Sequence, residues 1–159
     1  MLIEHILHRK GGDVEAISAD VPVSDAVIRL RERNIGALLV TASGGAEVTD
    51  AGEGGEQPAL TGILSERDIV RSLAAAPDPA AVLREPVSAL MTTDLATCAP
   101  GATVDELMRL MTDRRIRHIP VLDEGRLVGI VSIGDIVKSR IDELQTETET
   151  LHEYLATGR

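Results

Sequence analysis

An eleven-residue segment of this chain occurs twice, and the duplication limits the possible folds more than any other feature. Gly62-Ile63-Leu64-Ser65-Glu66-Arg67-Asp68-Ile69-Val70-Arg71-Ser72 returns 67 positions later as Gly129-Ile130-Val131-Ser132-Ile133-Gly134-Asp135-Ile136-Val137-Lys138-Ser139, with seven of the eleven positions identical. Upstream the halves align at an offset of 81, so that Val23, Ala26, Val27, Leu30 and Ile35 match Val104, Leu107, Met108, Met111 and Ile116. Steps of three, four and seven place these residues on one apolar helix face. In the second copy Thr103 precedes Glu106 by three residues, which is the pattern of a capping box.

Each helix is followed by a short apolar run, Ile35 to Val40 or Ile116 to Val121, then a turn and a second run ending Gly-Ile-Leu or Gly-Ile-Val. Their length and β-branching predict strands. Each copy therefore reads strand, helix, strand, strand, helix, with the first strand near Val14 to Ser18 or Leu95 to Ala99. The predicted class is α/β, α+β in strict usage: tandem βαββα repeats plus a C-terminal helix. The expected boundaries are an N-terminal helix at 1–12, repeat 1 at 13–76, a linker and helix at 77–93, repeat 2 at 94–139 and a last helix at 140–159. Pro77 and Pro79 close the second helix of repeat 1, and Glu85-Pro86 begins the passage to repeat 2. The two offsets differ by 14, so repeat 1 carries 14 extra residues within 41–61, a stretch with five glycines, four acids and no base. That composition predicts a mobile hairpin loop, because it offers little apolar surface to offset ordering entropy.

Charge and composition exclude several functions. Twenty-six acids against sixteen bases give a net charge of −10, which repels nucleic-acid phosphates. No apolar run approaches a membrane span, and Met1-Leu2-Ile3-Glu4-His5 has an acid where a secretory signal is basic, so a cytoplasmic protein is expected. The single cysteine, Cys98, forms no internal disulfide and reads as a small buried residue. Tyr154 is the one aromatic residue, so a bound base would rest on aliphatic side chains. His5 and His8 have helical spacing, but no third ligand completes a metal set. No Walker loop, Gly-x-Ser-x-Gly motif or catalytic triad context is present, so no enzyme and no catalytic cofactor is expected.

The two Gly-Ile-x-Ser-x-x-Asp-Ile-Val segments, Arg117-His118-Ile119-Pro120-Val121, and Val87-Ser88-Ala89-Leu90-Met91-Thr92 together resemble the paired CBS domains named after cystathionine β-synthase. The resemblance runs from about Asp13 to Ser139. It implies two repeats with pseudo-two-fold symmetry, clefts between them that take adenosine ligands such as AMP, ATP, NAD(H) or S-adenosylmethionine, and a regulatory role toward a partner protein not identified by the sequence. The alternative is a structural dimerisation module with vestigial ligand sites.

Ser65 with Asp68, and Ser132 with Asp135, stand at strand-to-helix junctions, where capping suits both side chains but does not by itself favour Asp over Glu in both copies. The resemblance adds a second role, in which the aspartate accepts ribose hydroxyls and the serine lies near ribose or phosphate. Arg117 reads as a phosphate ligand or a solvated strand-edge charge, and His118 as a structural histidine or a ligand contact. Repeat 1 has Gly36-Ala37 at the matching positions, with Arg67 as a substitute cation. Thr97 and Cys98, aligned with Ile17 and Ser18, fall where the family sets small groups against adenine, although Ile17 also reads as core. Gly134 and Pro120 complete the candidate set.

Past repeat 2, Val137, Ile141, Leu144, Thr148, Leu151 and Leu155 form a heptad seam with one Thr. It fits packing on its own module or pairing with a second chain, and the resemblance favours a homodimer. Leu2, Ile3, Ile6 and Leu7 offer an apolar run to pack beside it.

Overall fold

The computed structural model describes residues 1–11, 14–42 and 59–157, so most of the predicted loop insertion lies outside the described residues. The elements begin with α1 (Ile3–Lys10), β1 (Ala16–Ser18), α2 (Val23–Arg33), β2 (Ala37–Thr41), β3 (Leu60–Ser65) and α3 (Glu66–Ala75). They continue with α4 (Pro79–Val82), α5 (Val87–Leu90), α6 (Val104–Arg114), β4 (His118–Asp123), β5 (Arg126–Ser132) and α7 (Ile133–Thr157). The chain divides into two compact units, Gly12–Ala96 and a second made of Met1–Gly11 with Thr97–Arg159.

In the unit built on repeat 1, β1 runs parallel to β2 and β2 antiparallel to β3, with Ile17 opposite Val40 and Leu38 opposite Leu64. Val23, Ala26 and Leu30 of α2 bury the predicted helix face against Ile17, Leu38, Val40, Leu64 and Ile69. Val27, assigned to the same face, is 38% exposed, so the buried stripe is narrower than the spacing suggests. Asn34 ends α2 in the left-handed conformation, and the next amide, Ile35 N, returns to Leu30 O at 3.1 Å. Part of the 77–93 passage is built into this unit. Val87 is fully buried in its core, the Val87 and Ser88 amides donate to Val21 and Ala19, and Thr92 bridges Ile63. A Cβ at Gly62 would stand 2.7 Å from Met91 Sδ and 2.9 Å from Thr92 O, so this close backbone approach requires glycine.

In the other unit, β4 and β5 form a hairpin with Ile119 opposite Val131 and His118 opposite Ser132. Val104, Leu107 and Met111 of α6 pack with Ile119, Val121, Val131 and Ile136, while Met108, like Val27, is 40% exposed. The Thr103/Glu106 capping box forms as predicted. Leu95 to Ala99 does not form the expected strand; it keeps a single bridge from Cys98 to Val121. The reason is two prolines. In repeat 1 the Leu39 amide donates to Glu15 and the Ala19 amide to Thr41, but the equivalent positions are Pro120 and Pro100, which have no N–H to give.

The N-terminal apolar run packs beside α7 and also completes repeat 2 as the passage segment completes repeat 1. Ile3 and Ile6 are buried in the repeat 2 core, and the Ile3 and Glu4 amides donate to Ala102 and Pro100 at 2.9 Å. A Cβ at Gly129 would meet Leu7 Cδ2 at 2.6 Å, in the same way that Gly62 meets Met91.

The hairpin of repeat 2 turns on Glu124 and Gly125, with φ of 48° and 81°, which is the sign pattern of a two-residue primed turn. In repeat 1 the strand ends are at hairpin spacing already, since Ala42 N donates to Ala59 O at 3.3 Å. Replacing residues 43–58 with Asn-Gly is therefore expected to change unfolding free energy by less than about 1 kcal/mol. Loss of cooperative thermal unfolding in that variant would show that the insertion is structural.

Candidate functional site

Both repeats end their last strand in a Ser whose helix starts at the next residue, and the side chains form the same closed set of bonds. Asp68 Oδ2 accepts from Ser65 N at 2.9 Å and Ser65 Oγ at 2.8 Å, while Asp68 N donates to Ser65 Oγ at 3.3 Å. Asp135 Oδ2 accepts from Ser132 N at 2.8 Å and Ser132 Oγ at 2.9 Å, with Asp135 N donating to Ser132 Oγ at 3.2 Å. The capping role is thus present in both. In each case Oδ2 holds the cap and Oδ1 takes no part in it, so Oδ1 can accept a further donor.

Backbone bonds fix the neighbouring strand to the helix start. Glu66 N donates to Gly36 O at 3.0 Å and Ile133 N to Arg117 O at 2.8 Å, so the candidate residues Gly36 and Arg117 stand directly beside the first turns of α3 and α7. Ala37 pairs with Ser65 and His118 with Ser132. In repeat 2 an open cavity of about 500 Å³ is lined by Arg117, Ile133, Gly134, Val137, Lys138 and Ile141. Two cations and a helix N-terminus at one apolar-walled cavity suit an anionic ligand with an apolar part.

The other sequence candidates are placed less uniformly. Pro120 accepts the Cys98 amide at 3.1 Å, which sets Cys98 beside β4, with Thr97 exposed next to it. Burial pushes the Cys98 thiol up to about 11, so it stays protonated at neutral pH and is a packing group, not a nucleophile. The Ile17 side chain belongs to the repeat 1 core at 4% exposure. Ser18 is buried too, and its hydroxyl donates to Asp20, which lowers the Asp20 pKa. Arg67 lies exposed in the first turn of α3 beside Asp68. His8 Nδ1 bonds Glu4 O at 2.9 Å, and among the described residues no group of three or more His, Cys, Asp or Glu side chains is placed to hold a metal.

Lys10, the last residue of α1, was not legible as a site residue. Its ammonium donates to Asp135 Oδ2 at 2.8 Å and to Ile130 O at 3.2 Å. Burial acts to raise the Asp135 pKa, but hydrogen bonds from Lys10 and Ser132 and the charge of Lys10 outweigh it and hold the carboxyl below its ordinary value. In the sequence Lys10 looks like one of three basic residues favouring the helix C-terminus, with His8 and Arg9.

Paired strand-to-helix junctions with a duplicated Ser/Asp set define a tandem-repeat module of mixed α and β structure. The CBS domain family model matches residues 3–75 and 87–142, and the chain belongs to the CBS domain family. It is 34% identical over 162 residues to the CBS domain-containing protein CBSX3, mitochondrial, of Arabidopsis thaliana, covering 98% of this chain and 72% of the relative. A CBS-domain containing protein from Agrobacterium tumefaciens has a crystal structure of the same fold, with a TM-score of 0.74 at 40% identity over 88% of this chain and 99% of that one. The CBS domain pair of protein MJ0100, solved in complex with 5′-methylthioadenosine and S-adenosyl-L-methionine, shares the fold at a TM-score of 0.65 and 24% identity over 87% of this chain and 98% of that one. CBS pairs are regulatory modules. Among the described residues no helix is long and apolar enough to cross a membrane.

Proposed function

We propose that this chain is a non-catalytic sensor whose Asp68 and Asp135 receive the ribose of an adenosine nucleotide, AMP, ATP or NAD(H), and which passes occupancy to a partner protein. The observation that carries the reading is the duplicated Ser/Asp arrangement, with one carboxylate oxygen in each repeat standing outside the cap. The adenosine-derived ligands of the MJ0100 pair support the ligand class. Arg117 and Lys138 at the cavity by the start of α7 favour a phosphorylated ligand in repeat 2, whereas repeat 1 has Gly36 and Ala37 where Arg117 and His118 stand. We take the module to act in the cytoplasm as a homodimer.

Ligand binding to the native state raises stability by RT ln(1 + [L]/Kd), about 2.7 kcal/mol at a hundredfold excess over Kd. AMP, ATP, NADH and S-adenosylmethionine are each tested by thermal unfolding, and at least one is expected to raise Tm by several degrees. A second reading, a dimerisation module with vestigial sites, is favoured by the exposed apolar seam of α7. No shift with any of the four ligands would decide for it.

A further inference from the structure

The bond set at Asp135 differs from its twin at Asp68 by one group, and that group comes from outside the repeat. Lys10 reaches Asp135 from the end of α1, which is seated on repeat 2 by Ile3 and Ile6 in the core and by Leu7 against Gly129. Arg9 reinforces the seat by pairing with Asp142 of α7 at 2.9 Å. The Lys10 side chain is 36% exposed and that of Asp135 23%, so the pair is partly withdrawn from water.

Asp68 Oδ2 takes two donors, the Ser65 amide and hydroxyl, whereas Asp135 Oδ2 takes three, the Ser132 amide, the Ser132 hydroxyl and Lys10. A carboxylate has only about four lone-pair sites in all, so a ribose diol that engages both oxygens of Asp135 competes with one of these three for its place on Oδ2. The Ser132 donors belong to the cap of α7 and cannot leave without fraying it, so Lys10 is the one that yields. A displaced ammonium is left without its anion unless the ligand supplies another. A nucleotide does so with its phosphate, and an uncharged nucleoside does not.

Resting on the adenosine reading above, we propose that Lys10 is a specificity-determining residue of the repeat 2 site, selecting adenosine ligands that carry an anionic group over those that do not. It does this by making the uncharged ligand break a charge-assisted bond without replacement. Among the described residues no ammonium joins Ser65 in the bond set of Asp68, so the two sites are expected to differ in charge selectivity although their Ser/Asp geometry is the same.

The test uses the full chain with Asp68→Asn, so that calorimetric titration reports repeat 2, and compares AMP with adenosine in Lys10, Lys10→Met and Lys10→Arg proteins. Lys10→Met is expected to reduce the preference for AMP over adenosine by about tenfold or more, with adenosine bound as tightly as before or more so. Lys10→Arg keeps the charge and the preference, which separates a lost charge from a loosened α1. An unchanged preference in Lys10→Met, with both ligands still binding, overturns the role of Lys10 and leaves the adenosine reading standing. Failure of the Lys10 protein to bind either compound overturns both.

Discussion

Replacing Asp135 with Asn is expected to weaken AMP binding in repeat 2 by roughly tenfold or more, because hydrogen bonds to a charged group are worth about 1.5–3 kcal/mol. The substitution separates two roles that overlap in the structure. Asn keeps the size of Asp and a carbonyl oxygen that can accept the Ser132 amide, so the start of α7 should lose no more than about 1 kcal/mol. What it removes is the negative charge that holds Lys10 and, when ligand binds, a ribose diol in its place. The Asp135 carboxyl titrates below its ordinary value of 3.8, so any stability it contributes is complete above that value and is lost as pH falls through the lower folded value. Between about pH 5 and 8 its charge is constant, and the effect of the substitution should be constant too. Asp68→Asn should cost less for AMP, since repeat 1 has Gly36 and Ala37 in place of Arg117 and His118. Calorimetric titration of both variants checks this. Unchanged AMP affinity in both would reduce the aspartates to helix caps.

The parts of this molecule that were legible in the sequence are those in which one segment reports on itself. Apolar spacing located α2 and α6, and the Thr103/Glu106 pair located the start of α6, because caps and helix faces are set within a few residues. Duplication located the Ser/Asp junctions. The first strand of repeat 2 was misjudged because its pairing depends on donors lost at Pro100 and Pro120, one of them on a different strand. The seat of α1 depends on contacts more than a hundred residues away, such as Lys10 with Asp135 and Ile130, and spacing within 1–11 carries no sign of them. The need for Gly62 and Gly129 is equally non-local. Both are identical in the repeat, yet the cause is the chain that presses on them, Met91 and Thr92 in one case and Leu7 in the other.

Charging the α7 seam is the other substitution with a large expected effect. Val137, Ile141, Leu144, Leu151 and Leu155 stand 48–73% exposed, so their own unit leaves much of the seam uncovered, and the homodimer proposed above would cover it. Leu144 and Leu151 retain roughly half their surface in water, so each would gain about half of the 1.5–3 kcal/mol of full burial on pairing. Four such leucines in a dimer sum to roughly 3 kcal/mol or more, so Leu144→Glu with Leu151→Glu is expected to weaken self-association at least about a hundredfold. Tm at low concentration should hardly move, because neither side chain is in the core. Sedimentation velocity should show the wild type at twice the chain mass and the double variant at one. Val137 and Ile141 also wall the cavity that Arg117 and Lys138 line, so a ligand there and a second copy on the seam would touch the same two side chains. Linkage then requires the ligand to change dimer affinity by the factor by which dimerisation changes ligand affinity. AMP should therefore bind the monomeric double variant with a different Kd from the dimeric wild type; equal values would leave the seam a structural interface with no part in sensing, and a wild type that sediments as a single chain would remove the dimer altogether.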